Sequence, residues 1–210
     1  MKTFHTQTGA FLIGMLLILC LPQAGGSEPW EDFQRSAAHL TSIEAEFTQH
    51  KHLRILARPF LSSGRFFFQK PDSIRWEYLD PVKSVLLMHR GKIRRYTLGS
   101  RGMVEDASQA LSSMQVVVQE IGLWSQGRFA ESAYFKVEIA AGPEVKIILT
   151  PKEEAFTAFI GRIEITPSAA RKGVIDTVTI VESEGNETVI RFKNVKINER
   201  IAESVFRDVE

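Results

Sequence analysis

The chain has 210 residues, with 26 Lys and Arg against 25 Asp and Glu, a formal charge of +1 and 44% hydrophobic residues. That balance excludes the clear basic excess of a nucleic-acid binder. Cys20 is the single cysteine, which excludes a disulfide framework and cysteine metal ligation.

Lys2, the apolar run from Ala10 to Leu21 and the small residues Ala24-Gly25-Gly26 read as a secretory signal peptide over residues 1–26. The apolar run, about a dozen residues, is too short to cross about 30 Å of hydrocarbon at about 1.5 Å per residue. Leu19 stands before Cys20 where a lipobox needs a small side chain, so acylation at Cys20 is not expected. The expected product is soluble, begins near Ser27 and keeps 184 residues, which suits one domain (27–210) with one core.

Ser27-Glu28-Pro29 is a helix start, and Trp30, Phe33, Ala37 and Leu40 recur at helical spacing. From Ile43 the period becomes two: Ile43, Ala45 and Phe47 alternate with Glu44, Glu46 and Thr48. The alternation returns at Phe66 and Phe68 and again at Ile74, Trp76 and Tyr78, against Ser73, Arg75 and Glu77. Turn chemistry at Lys70-Pro71-Asp72 and Asp80-Pro81, and a hairpin tip at His89-Arg90-Gly91-Lys92 between Val85–Met88 and Ile93–Leu98, describe an antiparallel meander.

Spacings of three and four among Ala107, Ala110, Leu111, Met114, Val117, Val118, Ile121 and Trp124 predict a helix over Asp106–Gly127. It stands between two runs of strands, so it must cross or cap the sheet. Five further strands are predicted at Tyr134–Ile139, Val145–Leu149, Ile160–Ile165, Val174–Val181 and Thr188–Ile197, with turns at Ala141-Gly142-Pro143 and Glu184-Gly185-Asn186. There is no second core, long linker or repeat in this pattern.

No nucleophile elbow, phosphate-cradling loop or zinc-helix pattern is present, so the chain does not read as an enzyme. His50 and His52 read as solvated strand residues, and the pairs Glu44/Glu46 and Arg75/Glu77 as an outward charged face. Neither a metal nor a cofactor is expected. Arg90, Lys92, Arg94, Arg95 and Arg101 form a basic group that could dock an acidic partner or lipid headgroups, or simply be solvated.

The run Ile43-Glu44-Ala45-Glu46-Phe47-Thr48-Gln49, followed by Ser63-Gly64-Arg65-Phe66-Phe67-Phe68-Gln69-Lys70-Pro71-Asp72-Ser73-Ile74-Arg75-Trp76-Glu77-Tyr78, resembles the LolA family of lipoprotein carriers. Several motifs agree in order and spacing over Ile43–Tyr96; further on, the similarity is one of layout. The resemblance implies an α+β fold: a strongly curved antiparallel sheet of about ten to eleven strands, an incomplete barrel with helices covering its open concave face. It implies a lipid cavity walled by Phe47, Phe66, Phe68, Trp76, Tyr78, Leu87, Met114, Val117, Val118, Ile121, Trp124, Ile147 and Leu149. Relatives place an arginine before the turn proline to contact the lid helices; Lys70 stands there and lacks the five-donor fork.

The function implied is a monomeric periplasmic carrier of acylated lipoproteins, loaded by an inner-membrane lipoprotein-releasing ABC transporter and unloaded to an outer-membrane receptor or acceptor membrane. Two other readings use the same half-barrel, a carrier of another lipid or glycolipid and a periplasmic lipoprotein-sensing adaptor.

Overall fold

The computed structural model describes residues 28–106, 110–140, 144–157, 159–182 and 185–209. The expected signal segment and the Ala141-Gly142-Pro143 turn lie outside the described residues. The helix α1 (Glu28–Ala38) is followed by strands β1 (Ser42–His52), β2 (Phe60–Gln69), β3 (Ser73–Asp80), β4 (Ser84–His89), β5 (Lys92–Gly99) and β6 (Gly102–Glu105). Helix α2 (Ala110–Trp124) and a 3₁₀ turn (Phe129–Glu131) lead to β7 (Phe135–Ala140) and β8 (Lys146–Pro151). A helical turn α3 (Glu154–Thr157), strands β9 (Ile160–Pro167), β10 (Ile175–Glu182) and β11 (Glu187–Ile197), and a 3₁₀ turn (Glu203–Phe206) complete the chain.

All eleven strands form one antiparallel sheet in the order β6-β5-β4-β3-β2-β1-β11-β10-β9-β8-β7. Two meanders meet where β1 pairs with β11, from Ile43 opposite Ile197 to His52 opposite Glu187. β6 and β7 are the two edges and do not pair, so the sheet is open. They are also joined in sequence through α2, so the connection carrying α2 links the two edges of the sheet. A Cβ on Gly122 of α2 would lie 3.7 Å from Ile74 Cδ1 and 3.8 Å from Met88 Cε. This puts the helix against the face that carries Ile74, Phe68 and Met88, which stand opposite one another on β2, β3 and β4.

Turn chemistry fixes the first meander. Arg90 (φ 50) and Gly91 (φ 73) both adopt left-handed backbone, which a two-residue type I′ hairpin turn requires. Gly64 serves a different need. A Cβ there would come within 1.9 Å of the Glu77 carbonyl oxygen and 2.7 Å of Phe47 Cζ, so the absent side chain lets the Phe47 ring and β3 close over β2. Phe47 then packs, tilted, at 4.8 Å on Trp76 and at 5.2 Å, edge-on, against Tyr78.

α1 buries Phe33 and Ala37, with Leu40 just beyond its end, as the spacing predicted. Trp30 and Phe33 stack on each other at 5.9 Å and tilt against Phe129 at 5.6 and 6.1 Å. Beside the main core, a small satellite cluster of Phe67, Ile201 and Phe206 lies apart from it. It forms because the C-terminal segment folds back over the other face of β3 and β4, where Phe206 stacks on His89 at 6.2 Å.

That segment also changes the reading of Arg75 and Glu77. They are buried, not solvated. Arg75 donates to Glu77 (3.1 Å) and to the carbonyls of Val205 (3.0 Å) and Asp208 (2.9 Å), and Arg65 donates to Glu77 at 3.0 Å. Burial alone would raise the Glu77 pKa, but the hydrogen bonds and charges of Arg75 and Arg65 outweigh it and hold the carboxyl below its ordinary value. Two cations of the basic hairpin are used the same way: Arg90 pairs with Glu203 at 2.6 Å and Arg94 reaches the Arg207 carbonyl at 3.5 Å. The surface pairs Glu44–Lys196 and Glu46–Lys193 bridge β1 to β11.

Candidate functional site: an apolar cavity against the sheet

Between α2 and the sheet lies a cavity of about 290 Å³, at the small end of ligand pockets, about 300–1,000 Å³. Both meanders wall it. Ile43, Ala45, Phe66, Trp76, Tyr78 and Leu86 contribute from β1 to β4, and Ile160, Ile163, Val178, Ile180, Ile190 and Phe192 from β9 to β11. Val116, Val117, Glu120, Ile121 and Trp124 contribute from α2, and Ser125 from just beyond its end. Ladder registry explains the grouping: Phe66, Trp76, Leu86 and Arg95 stand directly opposite one another on four successive strands, so their side chains share a face.

Of the wall residues expected from sequence, Phe66, Trp76, Tyr78, Val117, Ile121 and Trp124 border the cavity. Phe47, Phe68, Val118, Ile147 and Leu149 are fully buried in the main core beside it. Leu87 is corrected: it stands opposite Arg75 and Arg94, on the face covered by the C-terminal segment. Its neighbour Leu86 takes the cavity position. Met114 lies within α2, and its side chain is outside the described residues. Lys70 does reach a helix, since its ammonium donates to the carbonyl of Ala38, the last residue of α1. A cation at a helix C-terminus complements both the free carbonyl and the dipole.

The wall of β9–β11 escaped the sequence reading, as did the polar groups that interrupt the apolar lining. Gln49, Ser84 and Arg95 border the cavity near Tyr78, whose hydroxyl donates to Gln49 Oε1 at 2.8 Å. Arg95 also pairs with Asp106 at 3.6 Å. Burial raises the Tyr78 pKa, and the neighbouring Trp76 indole works against that rise. Even so, Trp76 Nε1 is buried and completes no hydrogen bond, the one such side-chain atom among the described residues.

Glu120 is the buried charge of α2. Its carboxylate accepts from Trp124 Nε1 (3.2 Å) and Ser132 Oγ (2.8 Å), while Lys152 donates to the Ser132 carbonyl at 2.8 Å. Burial raises the Glu120 pKa, more than Ser132, Trp124 and Lys152 lower it. A carboxyl raised in this way stabilises the fold fully below its unfolded value, and that contribution is lost as pH rises through the folded value. Hydrogen exchange in the second half of α2, corrected for the intrinsic pH dependence, should therefore accelerate as pH rises above about 4.5, the ordinary value. Glu120→Gln should flatten the response; an unchanged profile would remove Glu120 from the explanation.

Among the described residues no group of three or more His, Cys, Asp or Glu is arranged to hold a metal, and no helix is long and apolar enough to cross a membrane. Fold and site define a class: proteins that keep an apolar cavity against one face of an open antiparallel sheet. The sequence profile of the outer membrane lipoprotein carrier protein LolA matches residues 38–208. The chain belongs to the LolA family, whose members are carrier or binding proteins, periplasmic or extracytoplasmic in general.

No curated protein matches the chain. Among solved structures, MucB superposes with a TM-score of 0.50 at 12% identity, over 88% of this chain and 64% of that one. This chain thus spans less than two thirds of MucB. A DUF1329 family protein from Desulfovibrio piger gives 0.48 at 10% identity, over 86% and 96%. A LolA superfamily protein from Nitrosomonas europaea gives 0.42 at 8%, over 87% and 97%.

Proposed function

We propose that the protein is a periplasmic carrier that shelters the acyl chains of lipoproteins in this cavity and moves them from the inner to the outer membrane. An inner-membrane lipoprotein-releasing ABC transporter loads it, and an outer-membrane receptor or the acceptor membrane receives the cargo. The observation that carries this reading is the apolar cavity held between the sheet and α2 in a member of the LolA family. Exposing an acyl chain to water costs about 0.8 kcal/mol per methylene, so a chain of about sixteen carbons needs on the order of 12 kcal/mol of shelter. A wall drawn from both meanders and α2 is of that kind.

α2 is the lid in this reading, lying over the concave face of the sheet. The volume of about 290 Å³ is that of the closed state, and α2 swings outward to admit cargo with several chains. Lys70 holds α1 at the rim through the Ala38 carbonyl.

The test uses protein recovered from the periplasm, incubated with membranes that contain a labelled, acylated lipoprotein. The expected result is transfer of label into the soluble fraction as a complex with the protein. Label that stays in the membrane, with no uptake of a fatty-acyl probe, overturns the reading. Mass spectrometry of co-purifying lipids separates lipoprotein cargo from another lipid or glycolipid.

A further inference from the structure

The cavity has two chemically different ends. Along β9–β11 the lining strand side chains are Ile160, Ile163, Val178, Ile180 and other apolar residues. The exception is Thr188, whose hydroxyl is engaged by Glu182. Toward β1, β3, β4 and β5 the lining includes Gln49, Tyr78, Ser84 and Arg95. Glu120 of α2 also lines the cavity, but both its carboxylate oxygens are engaged, by Trp124 and by Ser132 beside β7.

Trp76 sits at this polar end with an unsatisfied donor. Its ring is wedged among Phe47 at 4.8 Å, Phe66 at 5.4 Å and Phe192 at 6.1 Å. The ring borders the cavity and is partly exposed there, while Nε1 is shut off from solvent and completes no hydrogen bond, although the Tyr78 hydroxyl lies near enough to feel the indole. Buried polar atoms without partners are rare and costly, and each one calls for a reason. Phenylalanine would fill much of the same place without that cost. Gln49 supports the same chemistry: its amide oxygen is taken by Tyr78, which leaves its amide nitrogen as a second donor in the wall.

We infer that the polar end of the cavity, at Gln49, Trp76 and Tyr78, receives the acyl carbonyl of the cargo, with the hydrocarbon tail running toward β9–β11. The ligand class is a chain whose carbonyl, ester or amide, lies at its polar head. A turn of the indole within its aromatic cage brings Nε1 to the carbonyl oxygen, so the donor left unpaired in the empty protein is paired in the loaded one. This rests on the carrier reading and adds to it the direction in which the chain lies.

The experiment compares two probes of equal chain length, monopalmitoylglycerol, which has an ester carbonyl, and hexadecylglycerol ether, which has none. The unmodified protein should bind the ester about three- to tenfold more tightly than the ether, the size of one hydrogen bond. Trp76→Phe should abolish that difference by weakening ester binding alone. The indole N–H resonance of the unmodified protein, which does not depend on how well the variant folds, should shift with the ester and not with the ether. Equal affinities together with equal indole shifts overturn the inference and leave the carrier reading standing. Failure of the unmodified protein to take up either probe overturns both.

Discussion

Gly64→Ala should cost more than about 4 kcal/mol and leave little folded protein, a loss comparable with the whole stability of many domains. The reason is spatial. The added methyl would lie 1.9 Å from the Glu77 carbonyl oxygen, a backbone atom inside the β2–β3 ladder, and 2.7 Å from the Phe47 ring. A side chain could rotate away; a ladder carbonyl cannot move without breaking its own pairing. Gly91→Ala is the control. Its left-handed backbone (φ +73) carries strain of about 1–2 kcal/mol, with no atom within 4 Å of the new methyl. Denaturant unfolding of both variants checks the contrast, and a Gly64→Ala protein as stable as the parent would show that β2 and β3 do not close as described.

Val117→Glu should abolish uptake of an acyl probe, by more than about a hundredfold, while the protein remains folded. Val117 is 49% exposed, so a carboxylate there keeps access to water in the empty protein. It also borders the cavity, so a bound chain would strip that water from an unpaired charge, at a cost of several kcal/mol. Val104→Glu is the matched control, since Val104 is exposed and lies on edge strand β6, away from the cavity wall. Probe binding and thermal unfolding, measured together, separate a blocked cavity from a lost fold. Unimpaired uptake by Val117→Glu would mean that cargo lies elsewhere.

The order of elements was legible because each half announces its period. Alternation exposed β1, β2 and β3; the Arg90-Gly91 tip fixed β4 against β5; spacings of three and four exposed α2. β6 was missed because Gly102–Glu105 is four residues long and has a single neighbour, β5, which is too little for a period to show. The site was read in half. Phe66 and Phe68 share a face, yet the first borders the cavity and the second fills the core beside it. Periodicity assigns a face and says nothing of depth along the strand.

Leu87 failed for a different reason. Val85-Leu86-Leu87-Met88 has no alternation because both faces of β4 are covered, one by the main core and the other by the C-terminal segment. The same distant segment buries Arg75 and Glu77, through contacts that span about 130 residues of chain. A window of a dozen residues holds no trace of such contacts. Glu120 likewise looks like any polar position on a helix until Ser132 and Trp124 are seen to enclose it.

The two unpaired edges set the mechanics of the container. In a closed barrel, strand number and stagger lock the circumference, and any widening must tear hydrogen bonds. Here β6 and β7 end the sheet without meeting, so the eleven strands can uncurl with every ladder intact. Capacity then becomes an elastic property, set by how far the sheet bends and how far α2 follows it. In the proposed carrier, one and the same wall would grip a single tail or spread around several, and the work of spreading would be returned as recoil when the cargo leaves.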